Sequence, residues 1–161
     1  MNTSPRNCLV AGSTGLIGNL LTKELVNSND QVIALSRYEL SSTDELLTFR
    51  KIDFENEESF KDLFLDISDA FICLGTTIKK AGSQDDFRKV DVDYCFSLAK
   101  AASQAGVPNI SIVTSIGADS SSNNFYLKCK GEIEDKVSAL DFKSLSIFRP
   151  CLLYTSPSPR D

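Results

Sequence analysis

Residues 7–21 read NCLVAGSTGLIGNLL. Cys8–Ala11 is a short apolar run of the kind that forms a buried strand. From Leu16 onward, apolar residues fall at 16, 17, 20, 21 and 25, which is the spacing of one helix face. The turn between them is Gly12, Ser13, Thr14, Gly15, Leu16, Ile17, Gly18, with glycines in the pattern G-x-x-G-x-x-G. A tight turn needs a residue tolerant of positive φ. A pyrophosphate needs backbone close by, and helix–strand packing needs a missing side chain. The helix start then offers free N–H groups and a positive dipole end to phosphates. Three glycines alone recur by chance. Between a first strand and a first helix, they read as a dinucleotide-binding turn.

Outward from that turn, strand-like and helix-like segments alternate. Strands are expected at Asn7–Ala11, Gln31–Ser36, Phe49–Phe54, Ala70–Leu74, Ile110–Thr114 and Leu145–Phe148. Helices are expected at Leu16–Asn27, Glu57–Leu65, Asp85–Gln104 (ended by Gly106 and Pro108) and Asn124–Leu140. Strands apolar on both faces, joined by helices, imply a parallel sheet covered on both sides. The expected fold class is therefore α/β, a doubly wound parallel sheet of Rossmann type in three layers. Residues 1–150 are expected to form one NAD(P)-binding domain whose C-terminal part is missing, the sheet being cut short after its sixth strand.

Composition narrows the function. The chain has 161 residues and a net charge of −5, which argues against nucleic acid or an anionic membrane as the main partner. No apolar run approaches the roughly 18 residues of a membrane span. The start, MNTSPRNCLVAG, lacks the layout of a signal peptide, so the expected compartment is the cytoplasm. Five cysteines lie at 8, 73, 95, 129 and 151 without a CxxC, and there is no histidine. Classical zinc sites and histidine-based triads are excluded, and no metal site is expected. Cys8 and Cys73, inside apolar strands, read as small buried hydrophobes.

The second strand ends ALSRY. An Asp or Glu there would hold the ribose 2′-OH of NAD; this chain has Ser36 and Arg37 instead. A guanidinium suits a 2′-phosphate, so NADP(H) is expected over NAD(H). The alternative is a solvated surface arginine. Asp53-Phe54, at the end of the third strand, is a candidate adenine contact. The fourth strand ends CLGTT, placing Leu74, Gly75, Thr76 and Thr77 beside the cofactor. All of these lie at carboxyl ends of strands, where open α/β sheets bind ligands.

After the fifth strand comes VTSIGADSSSNNFYLKCKGEIE. Ser115 stands at the strand's carboxyl end. Tyr126 and Lys130 are four apart and share a helix face. A nearby ammonium favours the phenolate and lowers a tyrosine pKa. Tyr126 then exchanges a proton with a carbonyl oxygen, Lys130 activates it and holds ribose hydroxyls, and Ser115 donates to the developing oxyanion. Chance Y-x-x-x-K pairs are common; the upstream Ser115 and the glycine turn make this one a catalytic candidate.

AGSTGLIG, SRY, IDF, CLGTT, VDVDY, TSIGAD, YLKCKGE and FRP occur in that order between Asn7 and Pro150. The chain thereby resembles the atypical short-chain dehydrogenase/reductase proteins, and within them the Tat-interacting oxidoreductase subgroup and its microbial relatives. The resemblance implies a Rossmann fold, NADP(H) binding with Arg37 reading the 2′-phosphate, and Ser115, Tyr126 and Lys130 as the catalytic set. Two positions depart from the pattern. Asp91 stands where many short-chain dehydrogenases carry Asn, and Tyr38 where close relatives often have a second basic residue.

The tail, CLLYTSPSPRD at 151–161, has no periodicity. It back-translates into a transposon-type sequencing-library adapter, so it is expected to be non-native, with the true chain continuing past Pro150. A disordered Ser/Pro tail is the alternative. A sheet stopping at the sixth strand would expose an apolar patch and favour aggregation. The expected function is NADP(H)-dependent oxidoreduction at a carbonyl or hydroxyl of a small molecule. The alternative is an NADPH-binding redox sensor with little turnover and a protein partner or second copy. Nucleotide-sugar epimerisation with tightly held NAD is a third reading, which Arg37 argues against.

Overall fold

Alternation along the first strand sorts its side chains onto two faces. Cys8 and Val10 cluster with Val32 of the second strand and with Leu21, Leu25 and Val26 of the first helix. Leu9 and Ala11 join the larger cluster with Leu98, Ala99, Ala102, Ile133 and Val137. The sheet is therefore covered on both sides, giving three layers. Each fully buried aliphatic side chain here contributes about 1.5–3 kcal/mol of transfer free energy.

The computed structural model describes residues 4–60 and 62–151. Six strands, β1 (Asn7–Ala11), β2 (Gln31–Ser36), β3 (Leu47–Lys51), β4 (Asp69–Ile72), β5 (Asn109–Val113) and β6 (Ser144–Phe148), form one sheet in the order β3-β2-β1-β4-β5-β6. Every pairing is parallel. The order reverses between β1 and β4, the switch point at which such sheets open a crevice at their carboxyl ends. The helices are α1 (Leu16–Asn27), α2 (Ile78–Ala81), α3 (Gln84–Arg88), α4 (Cys95–Gln104) and α5 (Phe125–Ser138). The six-stranded, Rossmann-type parallel sheet of the described residues is as expected from the alternation of segments.

Three elements differ from the sequence reading. The third strand lies at Leu47–Lys51 rather than Phe49–Phe54. Asp53 leaves the sheet because its carboxylate accepts from the Glu55 N–H at 3.0 Å and its carbonyl accepts from the Ser59 hydroxyl at 2.6 Å. The expected helix over Glu57–Leu65 shortens to a 3₁₀ turn at Glu57–Phe60, followed by left-handed φ at Asp62. The long helix expected over Asp85–Gln104 is interrupted by a π-helical turn at Lys89–Tyr94. The short helix α2 is not among the elements expected from the sequence, and shifts of one or two residues occur at the ends of the other elements.

On the α1 side of the sheet, Ile17, Leu21, Phe71, Val113, Phe148 and Pro150 line an apolar groove. No described helix is long and apolar enough to cross a membrane. The tail reading concerns residues that, from 152 on, lie outside the described part.

Candidate functional site

The glycine turn is closed by backbone contacts that tolerate no side chain. Gly12 has φ +84°, and a Cβ there would lie 2.5 Å from the Cys73 carbonyl oxygen. A Cβ on Gly18 would lie 2.2 Å from the Gly12 carbonyl oxygen. The turn therefore brings the ends of β1 and β4 and the start of α1 together. Gly15 caps α1 with no side-chain hydrogen bond, so the first-turn N–H groups stay available to an anion.

Around this turn lies one cleft, lined among others by Gly12, Thr14, Gly15, Ser36, Arg37 and Phe54. Leu74, Gly75 and Thr76 complete its β4 side. Nine residues singled out from sequence are thus neighbours in space. The others sit differently. The Ser13 hydroxyl is buried and donates to the Leu35 carbonyl at 2.9 Å, tying the turn to β2. Leu16 is exposed, and Ile17 lines the apolar groove instead. Gly18 is buried as a packing contact. Thr77 caps α2, its hydroxyl accepting from the Lys80 N–H. Asp53 lines a neighbouring hollow with Arg37, Lys51, Phe54 and Tyr94. The cleft also contains Lys80, Val90 and Tyr94, which sequence reading missed. Tyr94 stacks on Phe54 with ring centroids 5.2 Å apart. Their spacing of forty positions, across a turn and a π-helical segment, gave no periodic signal.

Ser115, Tyr126 and Lys130 come from two elements. Ser115 follows β5, and Asn124 starts α5 by accepting from the Leu127 N–H at 3.1 Å. Ser115 and Tyr126 line one hollow with Thr114, Ile116, Leu127 and Pro150. The Tyr126 ring leans on Phe87 at 5.8 Å. Lys130 Nζ lies 5.7 Å from the Tyr126 ring centroid. The ammonium is buried, and donates to Asp91 Oδ1 at 2.6 Å. The other Asp91 oxygen accepts from the Thr76 N–H at 2.9 Å. Burial alone would lower the Lys130 pKa, but the Asp91 carboxylate more than offsets this and holds it above the usual lysine value.

A second buried acid braces the same helix. Glu134 accepts from the Thr114 hydroxyl at 2.5 Å and from Arg149 Nε at 2.9 Å. Thr114 precedes Ser115, so this network fixes the end of β5 against α5.

The sequence profile of the NAD(P)H-binding family matches residues 12–144. The chain belongs to this family. Among curated relatives, it is 36% identical over 153 residues to Protein HTATIP2 of Rattus norvegicus, an alignment covering 92% of this chain and 63% of that protein. It is 34% identical over 147 residues to Protein FMP52, mitochondrial, of Debaryomyces hansenii, covering 89% of this chain and 65% of that one. This NAD(P)H-binding chain thus spans about two thirds of the length of the relatives it matches. Its atypical short-chain dehydrogenase/reductase resemblance is supported by these relatives. The yeast proteins carry a mitochondrial label, in contrast to the cytoplasm expected from composition.

Solved structures agree on the fold. WbmG of Bordetella bronchiseptica, in complex with NAD, superposes with a TM-score of 0.75 at 14% identity, covering 91% of this chain and 54% of that one. MoeE5 in complex with UDP-glucose and NAD gives 0.70 at 21%, covering 89% and 53%. At these identities the likeness is one of architecture.

Proposed function

We propose that this chain is the cofactor-binding and catalytic part of an NADP(H)-dependent oxidoreductase of short-chain dehydrogenase type, acting on a carbonyl or hydroxyl of a small molecule. The observation that carries the reading is the meeting of two sites at the end of β4. The glycine-turn cleft reaches Gly75, and a Cβ on Gly75 would lie 4.0 Å from Lys130 Nζ. Lys130 thus connects the cleft to Tyr126.

The residues present fit a dinucleotide. The side-chain-free turn at Gly12 and Gly15, with uncapped N–H groups at the start of α1, suits a pyrophosphate. Arg37 is exposed at the β2 rim, and the hollow it lines also holds Lys51. Arg37 stands directly after β2, where NAD-preferring folds carry an acid, and a guanidinium suits a 2′-phosphate; Lys51 beside it pairs with Glu39 at 3.5 Å. Phe54 and Tyr94 offer an aromatic edge for adenine. When bound, the nicotinamide supplies or accepts the hydride. Tyr126 Oη would give a proton to the substrate oxygen or take one from it, Ser115 Oγ would donate a hydrogen bond to that oxygen, and Lys130 would favour the phenolate.

Arg37→Ala tests the cofactor choice. NADPH affinity, read by nicotinamide fluorescence, is expected to fall about tenfold or more, since a charge-assisted bond contributes about 1.5–3 kcal/mol. NADH affinity is expected to stay within about twofold. An NADPH affinity unchanged by the substitution would make Arg37 a surface residue and remove the basis for the preference.

A further inference from the structure

Asp91 is among the most deeply buried charged groups in the described chain, at 1% exposure, and the oxidoreductase chemistry outlined above gives it no role. Its position comes from the π-helical turn at Lys89–Tyr94, which inserts an irregular turn into an otherwise α-helical stretch. Such turns re-aim side chains and recur at functional sites. Here the carboxylate makes two bonds at once. One oxygen takes the Lys130 ammonium at 2.6 Å; the other takes the Thr76 N–H at 2.9 Å. A Cβ placed on Gly75 would stand 3.5 Å from Asp91 Oδ1, so the pair lies directly beneath the backbone that floors the cleft.

We propose that Asp91 is a positioning residue that fixes Lys130 between Tyr126 and the Gly75–Thr76 floor and keeps it an ammonium throughout the working pH range. The inference rests on the reading of Lys130 as the link between cleft and Tyr126. A lysine at this depth without a counter-charge loses its proton readily. An asparagine in the same place could hold the Thr76 N–H but could not hold the charge. The groups that bear on Lys130 are few. Asp91 faces it from the π-helical turn, Cys95 from the start of α4, and Tyr126 from its own helix. Burial pushes the Cys95 thiol up to about 12, so that group stays neutral. Asp91 is the carboxylate in direct contact with the ammonium; burial raises its own pKa, opposed by the Lys130 charge and the Thr76 N–H.

The Asp91 charge has a second consequence. It partly cancels the field of Lys130 at Tyr126, so the phenol feels a dipole rather than a bare cation. Removing it exposes Tyr126 to the full positive charge while Lys130 is protonated, and to none once Lys130 is neutral. Asp91 therefore sets both the strength and the pH range of the activation.

Lysine side-chain NMR of the free chain tests this without turnover, with the Lys130 signal assigned by Lys130→Arg. In the wild type, Lys130 is expected to titrate above the ordinary value of 10.5. In Asp91→Asn it is expected to titrate at least about one pH unit lower, a tenfold change in proton affinity. NADPH affinity of that variant is then expected to fall with rising pH where the wild type stays flat. A wild-type Lys130 titrating at or below the ordinary lysine value overturns the proposal, whether or not the variant folds. Equal titration in a folded Asp91→Asn also overturns it. Absence of NADPH binding by the wild type at pH 7, with Lys130 titrating high, would instead count against the cofactor reading and leave the ion pair standing.

Discussion

Tyr126→Phe is expected to lower turnover about 10³-fold, the usual worth of a positioned acid–base group, while NADPH affinity stays within about twofold. The variant removes one oxygen and keeps the ring. That ring packs on Phe87 and lies over Lys130, so the helix has no reason to move. Tyr126 also lies outside the cofactor cleft proper, in the hollow shared with Ser115. A loss confined to turnover therefore identifies the phenol as the proton carrier. The measurement is NADPH oxidation with a panel of small aldehydes and ketones, beside a fluorescence titration of the same preparation. Turnover within a few-fold of wild type would assign the proton to another group. A loss of both turnover and affinity would mean that Tyr126 holds the cofactor instead.

Gly131→Ala carries the second large effect, on stability. In an isolated helix, alanine is better than glycine by about 1 kcal/mol, so a reading from propensity alone expects a more stable protein. The structure reverses the sign. A Cβ on Gly131 would lie 2.0 Å from the Ser120 backbone nitrogen and 2.2 Å from the Asp119 carbonyl carbon. Neither atom is the end of a flexible side chain. The loop is also tied down, with the Asp119 N–H donating to the Leu127 carbonyl at 3.1 Å and the Ser121 N–H to the Asp119 carboxylate at 2.8 Å. Either α5 or the loop after Ser115 must shift. Overpacking of this kind costs about 1–3 kcal/mol, occasionally more. At about 2–4 °C per kcal/mol for a chain of this size, the melting temperature should fall by roughly 5–10 °C. Turnover should fall with it, because Lys130 and Tyr126 ride on the displaced helix. Thermal unfolding followed by circular dichroism decides the matter; a rise in melting temperature would show that α5 does not sit against that loop.

Those two positions also show what was legible in the sequence. The glycine turn announced itself because Gly12, Gly15 and Gly18 stand between a four-residue apolar run and a helical pattern. Tyr126 and Lys130 were found because a spacing of four is one helical turn. Gly131 lies next to Lys130, yet its reason is a loop eleven positions earlier, and nothing local in the chain encodes that contact. Asp91 was noticed as an unusual residue, but its ion pair with Lys130 was not. The interrupted helix carries apolar residues on a face that still looks α-helical, and a π-helical turn leaves no periodic mark of its own. Asp53 shows the opposite failure. Its neighbours suggested a continuing strand, whereas its own carboxylate, bonding the Glu55 N–H, ends the strand early. Lys80 and Tyr94 reach the cleft from short helical pieces whose placement only the folded sheet determines.

The most direct measurement is a calorimetric titration of the purified chain with NADPH and, separately, with NADH. A folded protein that binds one equivalent of NADPH, at least about tenfold more tightly than NADH, is the expected result, the margin being one charge-assisted contact at Arg37. A chain that is folded by circular dichroism and binds neither dinucleotide would contradict the claim that the Gly12–Gly18 turn, Arg37 and the Gly75–Thr76 floor form a cofactor site.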